Sequence, residues 1–107
     1  MQYTFIELPP FAALRDEMFD DDEFATFQTF LCRNPEAGDV IPQTGGCRKI
    51  RWRIQDKGKR GGARVIYFLR NAAGQIVLVA VYAKGERDDV PRDWLRKLKE
   101  NFDHEQG

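Results

Sequence analysis

The sequence lacks the features of membrane-spanning and secreted proteins. Its longest uninterrupted apolar stretch covers only residues 76–83, whereas a transmembrane helix needs about 20 apolar residues. The amino terminus does not combine a basic start, an apolar block and a small-residue cleavage site, which together mark a signal peptide. We therefore expect a cytoplasmic protein that has no membrane partner.

Residues that commonly carry catalysis are also scarce. The two cysteines, Cys32 and Cys47, show no CxxC spacing and have no neighbouring histidine, which favours reduced thiols over a disulfide or a metal site. The only histidine, His104, lies close to the carboxyl terminus. No GxSxG, HExxH or P-loop motif is present. These absences argue against serine and metal-dependent hydrolases, and we expect neither a metal nor a cofactor.

The chain does have a substantial apolar content and a very uneven charge distribution. Hydrophobic residues make up 42% of the 107 residues, which is enough for a single packed domain over residues 1–107. The net charge is zero, but residues 1–47 carry two cations and nine carboxylates, whereas residues 48–70 carry nine cations and one carboxylate. This second segment, with a charge of +8 (nine minus one), is typical of a surface that binds a polyanion such as nucleic acid.

Hydrophobic periodicity predicts an α+β fold. Apolar residues recur at helical spacing in residues 11–19, 24–31 and 94–102, and strand-like stretches occupy residues 2–7, 47–54, 63–70 and 76–84. The acidic run at 20–23 supplies capping residues for the second helix, and Asn34-Pro35 ends it. The order β-α-α-β-β-β-α predicts a small antiparallel sheet with two amino-terminal helices packed on one face and a carboxyl-terminal helix. The other face of the sheet is expected to be free for function.

The strand RKIRWRI at residues 48–54 concentrates positive charge on one face. Side chains of a strand alternate between faces, so Lys49, Arg51 and Arg53 lie together, opposite the apolar Ile50, Trp52 and Ile54. Cations on neighbouring strands can grip a phosphate and stabilise the extra charge of a phosphorane-like transition state. A lysine crowded by like charge loses its proton more easily and can act as a base. Simple nucleic-acid binding explains the same charges, and tyrosines such as Tyr67 and Tyr82 also fit core positions.

Three segments resemble the RelE/HigB toxins of type II toxin–antitoxin systems, in particular the HigB-like branch of the RelE/ParE superfamily. They are GGCRKIRW (45–52), KGKRGGARVIYF (57–68) and VYAK (81–84). The resemblance implies a RelE-like microbial ribonuclease-type fold and a metal-independent endoribonuclease. Such an mRNA interferase enters the ribosome, cuts mRNA by attack of a ribose 2′-hydroxyl on the adjacent phosphate, and so inhibits translation. It also implies a cognate antitoxin of the helix-turn-helix type, through which alone the protein reaches operator DNA.

The resemblance assigns roles to individual residues. Arg51 and Arg64 are expected to hold the scissile phosphate, Lys49 to act as the base, and Lys84 to protonate the leaving oxygen. A second group is expected to contact RNA or the ribosome: Arg48, Arg53, Lys57, Lys59, Arg60, Tyr82 and Arg87. The RelE subgroup carries a base-stacking tyrosine near its carboxyl terminus, but no tyrosine follows Tyr82 here. Two alternatives stay open, a ParE-like inhibitor of DNA gyrase and a non-catalytic nucleic-acid-binding module.

Overall fold

The computed structural model describes residues 2–54, 62–86 and 90–106. In chain order the elements are β1 (Thr4–Glu7), α1 (Pro9–Ala12), α2 (Arg15–Met18), α3 (Asp21–Arg33), β2 (Asp39–Val40), β3 (Arg48–Trp52), β4 (Ala63–Arg70), a 3₁₀ turn (Asn71–Ala73), β5 (Gln75–Ala83) and α4 (Arg92–Gln106). The predicted α+β class and the four predicted strands are confirmed. Strand β2 has no counterpart in the sequence prediction, because a two-residue strand carries no periodic pattern. Within the described residues, no helix is both long enough and apolar enough to cross a bilayer.

The five strands form one sheet in the order β1-β5-β4-β3-β2. Strands β3, β4 and β5 pair antiparallel, as predicted, and β2 adds to β3 in the same sense, but β1 pairs parallel to β5. Strand β5 lies between β1 and β4, and its side chains pack into hydrophobic clusters on both faces of the sheet. Burial on both faces explains why residues 76–83 are apolar without alternation.

The amino-terminal helices cover one face of the sheet with aromatic side chains. Phe27 and Leu31 of α3 are fully buried, and the rings of Phe19 and Phe27 stack with their centroids 5.4 Å apart. A capping box starts α3, as the acidic run predicts: the Glu23 backbone N–H donates to Asp20 Oδ1 at 2.7 Å, and the Asp20 N–H donates back to Glu23 Oε1 at 3.1 Å. The predicted helix over 11–19 is instead two short helices, because the chain bends at Leu14, which is 37% exposed.

Helix α4 packs on the opposite face, which the sequence prediction left free. Leu95 is fully buried there, and the ring of Phe102 meets that of Phe68 with centroids 5.8 Å apart. Asp103 pairs with Arg70 at 3.3 Å and with Lys99 at 2.8 Å, so α4 continues to Gln106. The prediction of a wholly free second face is therefore wrong. On this face Arg70 is paired with α4, whereas Lys49 and Arg51 of β3 are exposed and Arg64 at the adjoining end of β4 is half-buried.

A bulge in β5 changes which side chains face α4. Ile66 pairs with Ala80 while the next residue, Tyr67, pairs with Leu78, so Val79 has no partner of its own on β4. Before the bulge, Leu78 packs under the amino-terminal helices; after it, Val81 does. Val79, Ala80 and Tyr82 all pack on the α4 side. The extra residue thus places Tyr82 on the same face as Arg64.

Candidate functional site

Strand β3 presents its cations because its alternate residues are anchored. Ile50 is 8% exposed, and the Trp52 ring lies against Phe27 and Phe30, with centroids 5.1 and 5.2 Å away. These contacts fix the apolar face of β3 against α3. Since side chains alternate, Lys49 and Arg51 lie on the other face, where both are exposed. The face assignment made from the sequence is confirmed.

Three of the predicted site residues form a line across the sheet. Arg51 of β3 is the register partner of Arg64 on β4, and Arg64 is in turn the register partner of Tyr82 on β5. Directly opposed residues on antiparallel strands have Cβ atoms about 4.5–5.5 Å apart. We call Arg51, Arg64 and Tyr82 the central row. Arg64 is half-buried and Tyr82 is 6% exposed, so the row passes from solvent at Arg51 to the edge of the α4 core at Tyr82.

The two predicted lysines flank the central row. Lys49 lies two residues along β3 from Arg51, about 7 Å away, and its register partners are Asp39 on β2 and Ile66 on β4. Lys84 follows the last residue of β5, and its backbone N–H donates to the carbonyl of Gly62 at 3.1 Å. Its backbone is therefore tied to the start of β4 while its side chain is exposed.

Of the other predicted contact residues, Arg48 and Arg53 lie within the described residues, and neither belongs to the central row. Arg48 lies on the opposite side of β3 from Lys49, and its guanidinium donates to the carbonyls of Glu36 at 3.1 Å and Gly38 at 2.8 Å. Arg48 thus fastens the segment before β2, a role that its place in a basic run did not predict. Arg53 is exposed just beyond the end of β3. Lys57, Lys59, Arg60 and Arg87 lie outside the described residues.

A buried tyrosine also holds the segment before β2. The Tyr67 hydroxyl donates to the Pro35 carbonyl at 2.8 Å and accepts from the Gly38 N–H at 2.9 Å. Burial raises the pKa of Tyr67, because the charged phenolate would lose its hydration. A Cβ on Gly38 would lie 2.9 Å from Tyr67 Cε1, so only glycine fits beside the ring. We call Tyr67 and Arg48, with their backbone partners at Pro35, Glu36 and Gly38, the loop clamp.

Asp39, the residue that follows the loop clamp in the chain, borders a cleft beside the central row. The cleft lies between residues 39–42 and the start of α4, and it has a volume of about 180 Å³. Its base is formed by Ile66, Tyr82 and Leu95, and its polar lining by Asp39, Lys49 and Arg92. We call it the side cleft. The sequence analysis did not identify Asp39 or Arg92. Asp39 lies in the acidic amino-terminal part of the chain, and Arg92 lies in the carboxyl-terminal part, where cations and carboxylates nearly balance.

The chemistry available at this face is that of anion binding. The guanidinium groups of Arg51 and Arg64 each offer forked N–H donors that match phosphate oxygens.

Within residues 2–54, 62–86 and 90–106, no three His, Cys, Asp or Glu side chains come close enough together to hold a metal ion. Both cysteines are free thiols, as expected, and burial raises the pKa of Cys47.

Comparison with known proteins identifies the fold. No protein-family model matches the sequence. The structure is similar to that of the toxin RelE of Escherichia coli, in a double arginine-to-alanine variant in the free state, with a TM-score of 0.57 and 17% identity over 94% of this chain and 98% of that chain. It also matches the archaeal RelE–RelB complex of Pyrococcus horikoshii, with a TM-score of 0.49 and 23% identity over 81% of this chain and 100% of that chain. The chain therefore has the fold of the RelE toxins.

Proposed function

We propose that this protein is the toxin of a type II toxin–antitoxin system and that it cuts mRNA. The observation that carries the proposal is the central row, in which two arginines and a tyrosine from three neighbouring strands lie side by side on one face of a RelE-type sheet, with Arg51 exposed. The concentration of +8 (nine cations minus one carboxylate) in residues 48–70 supports a polyanionic substrate.

In the proposed reaction, Arg51 and Arg64 hold the scissile phosphate and stabilise the charge that develops on it. Lys49 takes the proton from the ribose 2′-hydroxyl, whose oxygen then forms a bond to phosphorus. The bond from phosphorus to the 5′-oxygen breaks, and Lys84 protonates that oxygen. The products are a 2′,3′-cyclic phosphate and a free 5′-hydroxyl, so that no co-reactant is consumed.

We also propose the partners that the sequence resemblance implies. The protein acts on translated messages within the ribosome, as a member of the HigB-like branch. Arg53 and the cations of the stretch 57–60 contact ribosomal RNA and make binding sensitive to salt. A cognate antitoxin, of the helix-turn-helix type, neutralises the toxin and connects it to operator DNA.

The deciding experiment compares wild type with Arg64→Ala under inducible expression, with mRNA cleavage mapped by primer extension. We expect wild type to stop growth and to cut translated messages, and Arg64→Ala to reduce cleavage by about 100- to 1000-fold, the usual effect of removing one donor to a transition-state oxyanion. Arg33→Ala is the matched control, because it removes the same charge from an exposed position on α3. It should cut like wild type.

Two results would contradict the proposal. If wild type and Arg64→Ala stop growth equally and messages stay intact, the target is another macromolecule, and gyrase inhibition becomes the leading alternative. If Arg64→Ala and Arg33→Ala both weaken RNA binding by the same factor and no cleavage is seen, the protein is a nucleic-acid-binding module and not an enzyme.

A further inference from the structure

The side cleft adjoins the central row on the same face of the sheet. The row contains Arg51, Arg64 and Tyr82, and the next set of register partners contains Asp39, Lys49 and Ile66. Two residues along a strand span about 7 Å, which is comparable to the distance from a nucleotide phosphate to its own base. A nucleotide whose phosphate lies on Arg51 and Arg64 can therefore place its base in the side cleft.

The shape and lining of the side cleft suit a planar, partly polar group. Its base is apolar, with Ile66 1% exposed and Leu95 fully buried, and Tyr82 belongs both to this lining and to the central row. Its rim carries one carboxylate and two cations, Asp39, Lys49 and Arg92. Proteins that read single-stranded RNA combine such an apolar or aromatic support with polar groups that bind the base edge.

Asp39 is the carboxylate in this lining, and the backbone that carries it is held on both sides. A carboxylate accepts hydrogen bonds and donates none. Asp39 is the register partner of Lys49, and the residue before it, Gly38, donates its N–H to the buried Tyr67 hydroxyl at 2.9 Å. On the other wall, Arg92 donates to the Gln43 side chain at 3.3 Å, which links α4 to the segment that follows β2.

We propose that the side cleft binds the nucleobase next to the scissile phosphate and that Asp39 selects guanine at this position. Guanine presents two adjacent N–H donors, at N1 and N2, which match the two oxygens of one carboxylate. Uracil places its single N–H between two carbonyl oxygens, which the carboxylate repels. The inference rests on the proposed ribonuclease function and adds a base preference and the residue that determines it.

The test maps cleavage sites across all expressed messages for wild type, Asp39→Asn and Asp22→Asn. The quantity measured is the ratio of guanine to uracil at one fixed position beside the cut. For wild type we expect this ratio to exceed the same ratio in uncut messages by about 5- to 150-fold, the range for one bidentate base contact. Asp39→Asn should still cut but lose this preference, because an amide replaces one acceptor by a donor. Asp22→Asn makes the same chemical change on an exposed residue of α3 and should keep the wild-type preference.

A second measurement examines binding without cleavage. We expect 2′-deoxy trinucleotides, which lack the attacking hydroxyl, to shift the backbone amide resonances of residues 39–41 and 92–95 when the central base is guanine. The shifts should be weaker with uracil and should be lost in Asp39→Asn. Folding of the variant is checked in the same spectra, since the resonances of α3 should not move.

The outcomes separate the two proposals. If Asp39→Asn cuts with the wild-type base distribution, the base-selection inference is wrong and the ribonuclease proposal stands. If folded Asp39→Asn no longer cuts, or cuts more slowly at the same sites, Asp39 acts on Lys49 or on catalysis, which also overturns the inference. If wild type cuts no message, the proposed function fails and the inference fails with it.

Discussion

Arg51 and Arg64 are direct cross-strand partners, so that two guanidinium groups face the same side of the sheet on neighbouring strands. Like charges in this arrangement repel one another and weaken the pairing of their strands by about 0.2–1 kcal/mol. This repulsion opposes the pairing of β3 with β4. A phosphate bound between the two arginines would offset it.

The first prediction separates stability from activity at this pair. Arg51→Thr should keep or raise the free energy of unfolding by up to about 1 kcal/mol, because it removes the repulsion and threonine suits a strand. RNA cleavage should be lost. Urea denaturation and primer extension measure the two effects. Arg53→Thr is the control, since Arg53 lies beyond the register of β3 and β4 and should change stability little; a clearly destabilised Arg51→Thr would contradict the prediction.

The second prediction concerns the loop clamp. Tyr67→Phe removes the hydroxyl that bonds both Gly38 N–H and the Pro35 carbonyl, and it leaves a buried donor without a partner. We expect the free energy of unfolding to fall by about 1–3 kcal/mol, measured by urea denaturation. Tyr3→Phe is the control, because the Tyr3 hydroxyl makes an exposed bond to Asn71. Equal stability of Tyr67→Phe and wild type would show that the clamp does not stabilise the fold.

The third prediction follows from the raised pKa of Tyr67. Above its ordinary pKa of 10.0 the unfolded chain releases this proton while the folded chain, in which burial raises the pKa, keeps it. The folded state then binds more protons than the unfolded state, so that stability falls as the pH rises past 10. The slope of stability against pH in this range should be less steep in Tyr67→Phe than in wild type. Identical slopes would mean that Tyr67 does not contribute to alkaline unfolding.

The fourth prediction concerns the end of α4. Asp103→Asn removes the charge that pairs with Arg70 and Lys99. Because Asp103 is 38% exposed, we expect a loss of less than about 1 kcal/mol, together with faster amide hydrogen exchange in residues 103–106. Glu105→Gln makes the comparable change on an exposed residue of the same turn and should leave exchange near the wild-type rate. Unchanged exchange in Asp103→Asn would show that these ion pairs do not hold the helix end.

The sequence predicted the elements whose side chains are periodic. The aromatic stripe of α3 and the alternation of β3 depend on local spacing, and β5 is marked by its uninterrupted apolar run; each is confirmed by the structure. The side of the sheet on which α4 packs was not predictable, because its stripe shows that it must be buried but not against which face. The same holds for the parallel pairing of β1, which depends on contacts distant in sequence.

The candidate site was predictable only in part, for similar reasons. Lys49, Arg51 and Arg64 could be found because they lie in one basic segment on regular strands. Asp39 and Arg92 were missed, since they reach the side cleft from a two-residue strand and from the start of a helix 53 positions later in the numbering. Arg48 shows the opposite error: it belongs to the basic run, but its donors are used by backbone carbonyls.

The bulge at Val79 reverses the alternation of side chains along β5, so that odd- and even-numbered residues exchange faces at this point. Up to the bulge, the odd-numbered Val77 and Val79 face α4; beyond it, the even-numbered Ala80 and Tyr82 do. If β5 paired with β4 without the bulge, every residue after Leu78 would move by one register position. Val81 would then lie beside Arg64, and Tyr82 would turn towards the amino-terminal helices. The bulge, and not only the composition of the strand, determines whether the central row exists.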